Sequence, residues 1–72
     1  MKQEDVTAVL LEVKVDTGTQ NTFVSITVKG YGDIVVDKEE ADFTFPYFNV
    51  LKVQTETITH WIDMDDIIKI SI

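Results

Sequence analysis

Thr59-His60-Trp61-Ile62-Asp63-Met64-Asp65-Asp66-Ile67-Ile68-Lys69-Ile70-Ser71-Ile72 is the stretch whose reading decides the fold of this chain. Its first half alternates as a strand, with Ile58, His60 and Ile62 on one face and Trp61 facing away. Three Asp residues then crowd a corner too short for anything but a tight turn. Ile67–Ile72 resumes as an apolar, β-branched strand that closes a sheet.

Working outward, Val50–Thr55 and Thr57–Asp63 predict a hairpin around Gln54–Thr57. Phe43-Thr44-Phe45 begins a strand that Pro46 cuts, because proline removes a ladder donor and belongs at an edge or a bend. Ile34-Val35-Val36 is a short apolar strand. Between them, Asp37–Asp42 is the one candidate for a helical turn, too short and too self-repelling to stand as a helix. Gly30-Tyr31-Gly32-Asp33 is a turn whose two glycines are free to take positive φ. Thr22–Lys29 puts Val24, Ile26 and Val28 inward and Phe23, Ser25 and Thr27 outward. Asp16–Asn21 has turn chemistry and closes a first hairpin. Val6–Val15 reads as a half-buried strand, with Val9, Leu11, Val13 and Val15 on one face and Ala8, Leu10, Glu12 and Lys14 on the other.

Composition agrees with strands. Val, Ile and Thr supply ten, eight and nine of the 72 residues, Ala and Leu only two and three. A chain of this length buries about 60–65% of its unfolded surface, so one thin-cored domain spanning residues 1–72 is expected. Five or six short strands at roughly ten-residue spacing predict an all-β, antiparallel small barrel or strongly twisted sheet.

The segment Trp61–Ile70, a strand, an Asp-Asp corner and then Ile-Ile-x-Ile, resembles the ending of SH3-like and Sm-like small barrels. There a single 3₁₀ turn separates the last two strands, so the resemblance implies an SH3-like barrel. The chain departs from Sm proteins in showing no N-terminal helix pattern and no basic residue near the final turn. It departs from peptide-binding SH3 domains in lacking the paired aromatics that hold proline-rich ligands. The resemblance thus implies a fold and carries neither inherited function.

Charge narrows the function classes. Thirteen acids face six bases, net −7, and every base is Lys. Nucleic-acid readers use basic patches and the arginine fork, so direct nucleic-acid binding is not expected. With no Cys and one His, no thiolate zinc site, disulfide or Cys nucleophile is available. His60 sits among apolar neighbours on its strand face, away from Glu56 and Asp63, so it has no partner for general base work. Asp63-x-Asp65-Asp66 lacks the span, glycine and closing Glu of a calcium loop. No cofactor, no metal and no catalysis are therefore expected. The charged N-terminus and the short run Val6–Leu11 make neither a signal peptide nor a membrane span, so a cytoplasmic protein is expected.

What remains is a surface. Phe43-Thr44-Phe45-Pro46-Tyr47-Phe48 holds more rings than a thin core takes, and Phe43 and Phe45 share a face that Tyr47 or Phe48 leaves. Aromatics as anchors beside carboxylates as rim are the composition of a protein-binding surface. The expected partner-binding residues are Phe43, Phe45, Tyr47, Phe48, Glu39, Glu40, Asp42, Asp63, Asp65 and Asp66. The expected partner is a protein with a basic surface, met by an accessory or inhibitor protein of the kind phages and mobile elements carry, its carboxylates standing where phosphates go. The alternative is a homo-oligomer that pairs its own strand edges and ring patch.

Overall fold

The computed structural model describes residues 1–15 and 22–71. The described residues are mostly β: among them six strands form two three-stranded antiparallel sheets, preceded by one helix. Strands β1 (Phe23–Val28), β2 (Gly32–Asp37) and β6 (Ile67–Ser71) make one sheet in the order β2-β1-β6. Strands β3 (Asp42–Tyr47), β4 (Val50–Gln54) and β5 (Thr59–Asp63) make the other in the order β3-β4-β5. A 3₁₀ turn, η1 (Met64–Asp66), carries the chain from β5 to β6.

The sequence reading of β1 holds at Phe23, Val24 and Ile26, while Ser25, Thr27 and Val28 are all half-buried. Val24 and Ile26 are fully buried while Phe23 is exposed, and Gly30 and Gly32 take φ of 77° and 111° in the turn that follows. The hairpin β4–β5 also forms where expected, closed at Thr55, whose backbone N–H donates to the Ile58 carbonyl at 2.8 Å. Ile58 itself is exposed and lies outside β5, so it does not share the inward face of Ile62. The Asp37–Asp42 segment is a turn and not a helix. Asp37 accepts the Glu39 N–H on Oδ1 at 2.9 Å, and its carbonyl accepts the Ala41 N–H at 2.9 Å.

The first fifteen residues correct the reading. Val6–Val15 is not a strand, and no first hairpin pairs it with Thr22–Lys29. Gln3–Val15 is a 13-residue α-helix, α1. The expected turn at Asp16–Asn21 lies outside the described residues, as does Ile72. Both periods fit this stretch: Val9, Leu11 and Val13 alternate, but Val6, Val9, Leu10 and Val13 stand at i, i+3, i+4 and i+7. What separates them is Leu10 and Leu11. Leu10 is buried with Val6 and Val13, whereas Leu11 is 62% exposed. Glu4 and Asp5 in the first turn complement the positive end of the helix. An isolated 13-residue helix rich in valine is marginal in water, so α1 exists because the core accepts it.

That core is one cluster. Val6, Leu10 and Val13 of α1 join Val24 and Ile26 of β1, Ile34 and Val36 of β2, Leu51 and Val53 of β4, Ile62, Met64 and Ile67. The Met1 nitrogen donates to the carbonyls of Met64 (2.6 Å) and Ile67 (3.3 Å), which ties the start of the helix to η1. No described helix is long and apolar enough to cross a membrane.

Leu10→Ala should therefore cost about 2–5 kcal/mol of unfolding free energy, and Leu11→Ala no more than about 0.5 kcal/mol. Urea melts of the two variants check this; a strand would reverse the order.

Candidate functional site

The strand β3 decides which rings reach the surface. Asp42, Phe43 and Thr44 pair with Gln54, Val53 and Lys52, but Tyr47 pairs with Val50, so β3 carries one extra residue between Thr44 and Tyr47. The extra residue is a β-bulge, and it falls at Phe45-Pro46, where proline's missing N–H does least harm. A one-residue shift moves everything beyond it to the opposite face. Phe43 and Phe45 thus stay inward, half-buried against the core. Tyr47 lands on the outer face with Lys52 and Trp61.

On that outer face the Tyr47 and Trp61 rings lie 6.1 Å apart, tilted by 30°, within the range of favourable ring pairs. Lys52 Nζ sits 5.0 Å from the Trp61 centroid, a cation–π distance. Trp61 is still 56% exposed and Tyr47 65%, and Phe48 at the tip of the β3–β4 turn is 96% exposed. The Tyr47–Trp61 pair and Phe48, next to Tyr47 in sequence, are open to solvent and make apolar surface that folding gives no reason to display.

The acidic corner borders this patch through Asn49. Asn49 takes the left-handed φ of 61°, which Asn tolerates better than most residues. Its Nδ2 donates to Asp63 Oδ1 at 2.9 Å, and its carbonyl accepts the Met64 N–H at 3.0 Å. Asp63 Oδ1 also accepts the Asp65 N–H at 2.9 Å, which makes Asp63 the N-cap of η1. Asp63 is therefore a structural carboxylate that ties two turns together, while Asp65 and Asp66 are exposed beside it.

The ten expected binding residues do not form one surface. Tyr47, Phe48, Asp63, Asp65 and Asp66 gather at one end of the β3-β4-β5 sheet. Glu39, Glu40 and Asp42 are exposed at the other end, since Asp42 pairs with Gln54 and Gln54 with Thr59. The length of β5 separates the ends by about 13 Å, more than the ~8 Å Debye length at physiological salt. Phe43 and Phe45 serve a third purpose, lining a shallow cleft of about 200 Å³ with Leu10 and Leu11 of α1.

Trp61 belongs to the patch although it was not among the expected binding residues. The signal was present: alternation around buried Ile62 turns Trp61 outward. His60 is half-buried opposite Val53 and lines two clefts along the seam between β2 and β5. Among the described residues, no group of three or more Asp, Glu or His is arranged to hold a metal ion.

Asn49→Gly should lose the Asp63 contact but keep the turn, at about 0.5–1.5 kcal/mol. Asn49→Ala should cost about 1 kcal/mol more, because alanine resists positive φ. Thermal or urea unfolding of the pair separates the hydrogen bond from the backbone strain.

No family model, curated protein or solved structure matches this chain.

Proposed function

We propose that this chain is a non-catalytic interaction module on a small SH3-like barrel, which docks on the basic surface of a protein partner. The support for the barrel is the strand order β2-β1-β6 and β3-β4-β5, with the 3₁₀ turn between the last two strands. The helix α1 also removes one of the departures from Sm-like barrels noted above.

The observation that carries the function is the ring cluster Tyr47, Phe48 and Trp61 beside Asp65 and Asp66. Tyr and Trp are the residues on which interface energy concentrates, and flanking carboxylates orient a basic partner more than they add affinity. Glu39, Glu40 and Asp42, at the far end, contribute to the long-range field of a chain with net charge −7. A basic partner of this description includes proteins that bind nucleic acid, on which the carboxylates would occupy phosphate positions. An accessory or inhibitor role in a phage or mobile element follows from that chemistry, and the cytoplasm is where such a partner is met.

Retention of proteins from a cytoplasmic extract on the immobilised chain tests this reading. The retained proteins should be basic. Trp61→Ala should weaken binding by about 30-fold or more, the scale of a hot-spot residue. Asp65→Lys with Asp66→Lys should abolish binding, and Glu39→Lys with Glu40→Lys should mainly slow association. Unchanged retention by the corner variant would sink the reading.

A second reading is self-assembly. Among the described residues, β5 and β6 each pair with a single strand, and Trp61 and Ile68 are exposed on them. Ile68 is the extra residue of a bulge opposite Thr27 and Val28, which displays it. Light scattering at micromolar and tenfold lower concentration decides: an oligomer should lighten on dilution, and a constant monomer mass removes this reading.

A further inference from the structure

The seam between β2 and β5 holds a cleft of about 150 Å³ beside η1. Val28, Ile34 and Ile62 give it an apolar floor, half-buried His60 lines it beside them, and Tyr31 and Trp61, both largely exposed, flank it. Asp63 and Asp66 stand at its rim, and no Lys lines it. The cleft is braced from below: the Lys29 N–H donates to the Asp66 carbonyl at 2.8 Å, joining the β1–β2 turn to η1.

Its size excludes most ligands. Small-molecule sites run to about 300–1,000 Å³, so this cleft fits one extended side chain and not a cofactor. Its chemistry selects the side chain. An apolar floor suits a methylene stem, aromatic flanks suit a cation, and rim carboxylates suit a hydrogen-bonding head. Trp61 already attracts one cation, Lys52, from the outer face of the sheet. A planar guanidinium stacks on rings and pairs with carboxylates more effectively than a compact ammonium.

We propose that the cleft between Tyr31 and Trp61 is an arginine-binding pocket, which receives one arginine side chain of the basic partner. The pocket rests on the docking reading above and makes it specific. The aromatic patch supplies contact area, and the pocket supplies the point that sets register. Asp66 accepts from the guanidinium. Asp63 Oδ1 is already engaged by Asn49 and Asp65, so Asp63 contributes its second oxygen and its charge.

Titration of the ¹⁵N-labelled chain with the blocked peptide acetyl-Gly-Arg-Gly-amide tests the pocket. Saturable shifts are expected at Tyr31, Asp66 and the Trp61 indole, in the millimolar range. The lysine peptide should bind several-fold more weakly, and the citrulline peptide, isosteric but neutral, at least tenfold more weakly. Asp66→Asn and Tyr31→Leu should each lower affinity several-fold while the rest of the spectrum stays in place, which shows the fold intact. Equal binding of the arginine and citrulline peptides, or shifts confined to Glu39–Asp42, overturns the pocket. If the arginine peptide fails but basic proteins are still retained through Asp65 and Asp66, the pocket falls and the docking reading stands. If both fail, both fall.

Discussion

The seating of α1 in the core is the interaction on which the rest of this structure depends. Two three-stranded sheets give a domain of this length two inner faces and little to fill the space between them. Val6, Leu10 and Val13 add three buried side chains to that core. Full burial of three such side chains is worth about 5–9 kcal/mol as an upper estimate, against a typical total stability of about 5–15 kcal/mol. The same contact gives the helix its reason to form, since its 13 residues would be marginal alone. Helix and sheets are each conditional on the other. Met64, fully buried at the 3₁₀ corner, is where they meet, its carbonyl taking both the Met1 nitrogen and the Ile67 N–H.

The surface follows from two local irregularities. At Phe45-Pro46 the bulge in β3 divides an aromatic run into an inward half that packs and an outward half that is displayed. At Asn49 a left-handed turn hooks onto Asp63 and brings the β3–β4 tip against the β5–η1 corner. Neither device adds a residue of unusual chemistry. Together they set three exposed rings near exposed carboxylates, Tyr47 and Trp61 on strands that pair with β4 and Phe48 on the turn between β3 and β4. Tyr47 and Trp61, packed on each other, lose less entropy than free side chains when a partner covers them, which is what makes a displayed aromatic an anchor.

The two acidic clusters, similar in sequence, have different surroundings. Asp63, Asp65 and Asp66 frame rings, and Asp63 caps η1. Glu39, Glu40 and Asp42 surround a turn that Asp37 organises through its carboxylate and its carbonyl, with Lys38 buried beside it. The two clusters lie more than a Debye length apart, so each is largely screened from the other. Glu39, Glu40 and Asp42 thus lie at the opposite end of the β3-β4-β5 sheet from Tyr47 and Phe48, although all five stand within ten residues of sequence.

From Phe23 onward the sequence alone determined where the strands fall, the inward Val24 and Ile26, and both positive-φ glycines, because period-2 alternation and turn chemistry are local properties; the 3₁₀ corner was an expectation carried by the resemblance. The sequence also determined the acidity, and the absence of Cys and Arg. It did not determine the state of residues 3–15. Valines at both periods satisfy strand and helix templates alike, and only the packing of α1 onto the core chose burial of Leu10 over Leu11. Nor did it determine which rings are displayed, since a one-residue bulge inverts a face and leaves no more trace than a proline. The cleft between Tyr31 and Trp61 was out of reach for a different reason. Its walls come from a turn and a strand thirty residues apart, and only the packing of one sheet against the other brings them face to face.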